Sequence, residues 1–218
     1  MSRWQWIAAG GVVVLAAAIA ALWTPDRPWA TLESRWLKNR ADLWIVEGTR
    51  LHVRDEGPRD APALVLIHGL GSSLQTWDTW AVVLREHWRV IRLDLPGHGL
   101  SGPDSTGDYR DARTHALLTA LLDRLDLRTA TLVGHSIGGR IAWSYAAVHP
   151  DRVHALVLVA PDGFASPGFE YGRAPSVPSV MAVMEVALPR FVLKANLAPA
   201  FHDPAALDES RKHPAKSS

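Results

Sequence analysis

Five residues near the middle of the chain, Gly134-His135-Ser136-Ile137-Gly138, have the types and spacing of an acyl-transfer nucleophile. The apolar run Thr131-Leu132-Val133 precedes them, and a helical pattern follows to about Val148. A serine on a tight strand-to-helix turn is held in a strained backbone conformation. Glycines two residues before and two after it let neighbouring backbone pass close by. Such a turn lifts the Ser136 hydroxyl above the strand ends. It also sets the free N–H groups and the positive dipole end of the following helix beside the hydroxyl. Negative charge developing on an attacked carbonyl would fall there. The pentapeptide alone is a weak signal, because glycine and serine are common in loops; the strand–turn–helix context strengthens it.

The surrounding elements must hold this turn in place. Ala63–Ile67 (ALVLI) is a continuous apolar run, as in a strand covered on both faces. It opens into His68-Gly69-Leu70-Gly71, with a helical segment to about Arg85. Val90–Leu93 is the next apolar run and leads into Asp94-Leu95-Pro96-Gly97-His98-Gly99-Leu100-Ser101. Asp111–Leu125 predicts an amphipathic helix with Leu117, Leu118, Leu121, Leu122 and Leu125 on one face. Val153–Val159 predicts another buried strand, and Leu43–Glu47 with Arg50–Arg54 a hairpin across Gly48-Thr49. Strands alternating with helices at this spacing imply an α/β fold, a mostly parallel sheet with helices on both faces.

Composition narrows the function classes. The 218 residues suffice for one domain with a substantial core, and the formal net charge of +1 implies no polyanionic partner. No basic stripe interleaved with aromatics points to nucleic acid. Cysteine is absent, which excludes disulfides, thiolate catalysis and cysteine-ligated metals.

Trp6–Trp23 is an uninterrupted uncharged run, with Arg3 before it and Trp4, Trp6 and Trp23 at interfacial positions. At ~1.5 Å per residue it can just span a hydrocarbon core of ~30 Å. Residues 1–24 are therefore expected to be a membrane anchor, a transmembrane helix of the kind that holds a protein at a bacterial inner membrane. A cleaved signal peptide with export is the competing expectation, although its small-residue site, Ala18-Ile19-Ala20, lies inside the run. Arg3 before the span and Arg27, Arg35, Lys38 and Arg40 after it leave the orientation open. Residues 25–42 read as a linker with one short helix around Thr31–Asn39.

With these pieces in order, the chain resembles the α/β-hydrolase fold proteins of the esterase, lipase and carbon–carbon-bond hydrolase group. Four stretches carry the resemblance, over roughly Leu43–Phe164: Leu66-Ile67-His68-Gly69-Leu70-Gly71, Asp94 to Ser101, Gly134 to Gly139, and Leu158-Val159-Ala160-Pro161. The resemblance implies that Ser136 is the nucleophile and that the N–H groups of Leu70 and Ile137 form the oxyanion hole. It further implies a small ester or related acyl substrate, an acyl-enzyme, and no metal or cofactor. A serine rather than an aspartate at position 136 counts against the dehalogenase and epoxide-hydrolase branches. Acyl transfer, carbon–carbon bond hydrolysis and cofactor-free peroxidation share this nucleophile. The neighbours have bland readings: His68 and His135 as loop-fixing residues, Asp94 and His98 as turn formers, Trp77 and Trp80 as core or as lining of an acyl pocket.

A serine hydroxyl also needs a base. The family usually carries an acid after the seventh strand and a histidine after the eighth, and no further buried-strand pattern follows Val159. Asp162 is the candidate acid, because some family members carry it after the sixth strand. His149, His154, His202 and His213 all lack the expected setting, so the histidine is unassigned. Gly163–Pro178 reads as a loop, and Val180–Leu188 and Arg190–Leu197 as short helices broken by Pro189. Leu188–Leu207 resembles part of a cap, so residues 165–218 are expected to be a partial cap and a disordered tail. The expectation is an incomplete hydrolase whose sixth strand is an unpaired apolar edge. Two other readings stand beside it: a catalytically silent, membrane-tethered binding protein, and an enzyme whose missing strands come from another chain.

Overall fold

The computed structural model describes residues 2–24, 27–163, 179, 184 and 189–198. Most of the loop expected over 163–178, most of the helix expected over 180–188, and the tail with His202 and His213 lie outside the described residues. The chain divides into two compact units, Pro28–Tyr171 and Met1–Arg27 with Gly172–Ser218.

The first unit is built on a sheet of six strands in the order β1-β2-β4-β3-β5-β6. Its strands are β1 (Leu43–Val46), β2 (Thr49–Glu56), β3 (Ala63–Ile67), β4 (Arg89–Leu93), β5 (Ala130–His135) and β6 (Val153–Val159). The first two form the expected hairpin, Trp44 opposite Leu51 and Val46 opposite Thr49. Glu47 and Gly48 both take positive φ at its turn, 47° and 76°, which suits the right-handed twist of paired strands. β2 runs antiparallel to β4; the β4–β3, β3–β5 and β5–β6 pairs are parallel. The mostly parallel α/β sheet predicted from the sequence is the one observed.

Alternating side chains send the strands' apolar residues to two faces. Val65, Ile67, Ile91, Leu93 and Leu132 pack with α4 (Asp111–Arg124) and α5 (Ile137–Val148), through Leu117, Leu118, Leu121, Leu122, Ile141 and Tyr145. Leu64, Leu66, Val90 and Val133 pack on the other face against Trp77 and Ala81, from a 3-10 turn (Leu74–Trp77) and α3 (Asp78–Leu84). Each such side chain contributes about 1.5–3 kcal/mol when fully buried. Trp77 is thus core, whereas Trp80 is about half exposed and stacks edge-on against it. Strand β4 hides two charges: Arg89 pairs with Asp55 at 2.9 Å, and Arg92 pairs with Glu56 and with Asp78, the latter at 2.6 Å.

Residues 25–42, expected to be a linker, carry α2 (Trp29–Trp36) and belong from Pro28 onward to the unit that holds the sheet. In the other unit, α1 (Arg3–Leu22) opens on a capping box in which Ser2 and Gln5 satisfy each other's backbone N–H groups. Polar Arg3 and Gln5 occupy its first turn, and it ends at Leu22. Its 20 residues rise about 30 Å, a length that includes this polar first turn. Among the described residues no helix is long and apolar enough to cross a membrane. The crossing expected at residues 6–23 therefore has no support in the structure. The second expected cap helix is present as α6 (Arg190–Leu197).

Candidate functional site

The turn between β5 and α5 has the strain that the sequence pattern requires. Ser136 sits at φ 54°, ψ −121°, outside the regions open to an ordinary residue, and it is the N-cap of α5. Its flanking glycines are there for space. A Cβ on Gly138 would lie 2.3 Å from the Ile67 carbonyl oxygen and 2.5 Å from that of His68, so the start of α5 presses on the end of β3. Ser136 is half-buried, and among the described residues its hydroxyl has no hydrogen-bond partner.

Three segments meet at this serine. Its N–H donates to the Val159 carbonyl at 3.2 Å, and its carbonyl accepts from the Asp162 N–H at 2.9 Å. The end of β6 is thereby tied to the elbow. The loop after β3 arrives from the other side: a Cβ on Gly69 would stand 3.1 Å from the Ser136 Cβ. Leu70, next in that loop, is largely exposed. Among the described residues the N–H groups of Leu70 and Ile137 have no acceptor within the protein.

The neighbouring histidines and Asp94 brace the loops. His68 is fully buried; its Nδ1 donates to the Gly69 carbonyl at 2.7 Å and its Nε2 accepts the Leu95 N–H at 3.0 Å. Burial pushes its pKa below the usual histidine value. Asp94, also buried, accepts the N–H groups of Leu74 at 2.6 Å and Leu100 at 2.8 Å and is paired with His52 Nδ1 at 2.7 Å. One carboxylate therefore ties the loop after β3 to the loop after β4. His98 stands beside His68, ring centroids 5.3 Å apart, and its Nδ1 donates to the Pro96 carbonyl at 3.1 Å. The ring of His135 reaches toward Gly69, and its Nδ1 is buried with no partner among the described residues.

Asp162 is brought to the elbow by its backbone, but its carboxylate lies 3.3 Å from Arg140 Nε. Arg140 also pairs with Asp111 on α4 at 3.1 Å. Arg140 is a site residue that no motif marks; its place four residues after Ser136, one helical turn along α5, is the signal in the sequence. His149 closes the far end of α5 against the Tyr145 ring, and His154 is exposed on β6. Neither bonds Ser136. No cluster of three or more metal-ligating side chains exists among the described residues. Among the described residues no side chain hydrogen-bonds the Ser136 hydroxyl, and the N–H groups of Leu70 and Ile137 lie in the two segments that meet it.

Comparison with known proteins agrees with this architecture. A family model for the alpha/beta hydrolase fold matches residues 62–192. A putative 2-succinyl-6-hydroxy-2,4-cyclohexadiene-1-carboxylate synthase of Bacillus subtilis is 37% identical over 54% of this chain and 43% of its own. A 2-hydroxymuconate semialdehyde hydrolase of a Pseudomonas species is 32% identical over 73% of this chain and 62% of its own. The crystal structure of a hydrolase from Pseudomonas aeruginosa superposes with a TM-score of 0.65 at 28% identity, covering 79% of this chain and 63% of that one. The chain thus spans less than two thirds of the length of these relatives.

Proposed function

Since this chain belongs to the alpha/beta hydrolase fold family, we propose that it is a serine hydrolase acting on an ester or related acyl substrate, with Ser136 as nucleophile. The observation that carries the proposal is the strained, half-buried Ser136 with two uncommitted N–H groups, those of Leu70 and Ile137, in the loops that meet it. In the proposed step the Ser136 Oγ attacks the substrate carbonyl carbon and loses its proton to a base. The Leu70 and Ile137 N–H groups bind the resulting oxyanion, whose collapse expels the alcohol and leaves an acyl-enzyme for water to hydrolyse. Two such donors are worth several kcal/mol, since losing one typically costs about 2.7–4 kcal/mol.

Labelling of the 218-residue protein by a fluorophosphonate probe, with Ser136→Ala as control, tests the reading. Labelling that disappears in the variant supports it. No labelling of soluble, folded protein overturns it in favour of a silent hydrolase-like binding protein. That second reading draws its support from the Ser136 hydroxyl, which bonds no histidine among the described residues, and from Asp162, whose carboxylate faces Arg140. Asp162→Asn separates the two roles of that residue: a catalytic acid would lose nearly all turnover, a structural counter-ion only some stability. Membrane attachment through residues 6–23 rests on their uncharged composition, and resistance to carbonate extraction from membranes is its test.

A further inference from the structure

A cavity of about 240 Å³ lies between α2 and the loops that follow β3 and β4, lined by Leu32, Trp36, Ser73, Gln75, Gly99 and Leu100. None of these described lining residues is charged. Its volume falls just below the ~300–1,000 Å³ of pockets that enclose a whole small molecule, which suits one apolar part of a ligand.

Helix α2 has no buried side chain of its own. Polar tethers hold it: Arg50 donates to Glu33 at 3.2 Å, and the Arg50 guanidinium stacks 4.1 Å over the Trp29 ring. Leu32 and Trp36 are thus left to face the cavity instead of a core. The opposite wall is rigid, because the Asp94 carboxylate fixes the N–H groups of Leu74 and Leu100, one from each loop. Ser73 lies three residues beyond Leu70, so their Cα atoms are at most about 11 Å apart. One loop therefore carries both a candidate oxyanion donor and a wall of the cavity. Helix α2 precedes the stretch matched by the family model.

We propose that the cavity beneath α2 is the subsite for an uncharged, medium-length alkyl chain of the substrate. The proposal rests on the reading of Ser136 as nucleophile. It gives α2 a function, to wall off from water a slot beside the oxyanion loop.

Two alkyl fluorophosphonates differing only in chain, ethyl and decyl, test it on the full protein. The decyl probe is expected to label Ser136 about tenfold faster, the gain of a few methylenes entering an apolar pocket. Leu32→Trp, which fills the cavity, is expected to bring the ratio of decyl to ethyl rates close to one. Trp36→Ala, at an exposed position that a folded protein tolerates, should reduce the ratio in part. Equal rates in the unmodified protein, or a preference that survives Leu32→Trp, overturns the subsite and leaves the nucleophile standing. Labelling by neither probe overturns the nucleophile instead. The cavity is then judged by calorimetric titration with 1-decanol: binding lost in Leu32→Trp supports an alkyl slot, and no binding overturns it.

Discussion

Strand β3 is buried along its whole length, from Ala63 to Ile67, while β6 is exposed from His154 to Leu158. Both are apolar runs, ALVLI and VHALVLV. The first pairs on both sides, with β4 and β5, and has helices over both faces. The second pairs only with β5 among the described strands, and Leu156, Val157 and Leu158 are each about 40% exposed. Yet β6 is tied to the elbow at one end, where Val159 and, just beyond the strand, Asp162 bond the backbone of Ser136. A strand can be integral to a site at its tip and uncovered along its body. Apolar character alone does not say which, and an uncovered apolar edge invites pairing with other chains.

Substitutions can break or sharpen this contrast. The largest effect is expected for Val65→Asp, where an unpaired carboxylate enters a position with no exposure; a loss above about 4 kcal/mol in urea unfolding is expected. Gly138→Ala should follow, at about 3 kcal/mol, because its methyl would strike the carbonyls of Ile67 and His68. It should also displace Ser136 and abolish fluorophosphonate labelling. A smaller effect concerns pH. Burial keeps His68 neutral to lower pH than the unfolded chain, so unfolding takes up a proton below about 6.5. Stability is expected to be full above that pH and to fall as the pH drops from there toward the folded pKa. Thermal melts between pH 5 and 8 should show this slope, reduced in His68→Gln but not removed, because burial also lowers the pKa of His115. The smallest effect is at β6: Val157→Lys should change stability by less than about 0.5 kcal/mol while slowing aggregation in light scattering. A loss at Val157 comparable to that at Val65 would show that β6 is covered in solution.

Much of this was legible in the residue order, element by element. Ala63–Ile67 and Val153–Val159 are strands at the boundaries predicted, and α4 buries the leucine face that its periodicity marks. The elbow was legible because glycine spacing and an apolar lead-in strand are local signals. Arg92 was not, since a lone arginine in an apolar run does not announce that Glu56 and Asp78 will meet it. Asp162 is the candidate acid by its place after the sixth strand, but its pairing with Arg140 depends on how α5 lies against β6. Helix α2 lies in a stretch whose sequence reads as a linker; its place on the wall of a cavity follows from tethers to Arg50 and from loops more than thirty residues away.

The sequence by itself determined the strand–turn–helix around Ser136, the alternation of strands and helices, and hence the parallel sheet. Periodicity, β-branched runs and glycine spacing act between residues close along the chain, and these features need nothing more. Tertiary structure alone decided which apolar strand is covered, which charges pair in the interior, and where a cavity remains. Burial and ion pairing are properties of neighbours in space, and those neighbours are set only when the whole sheet and its helices have packed.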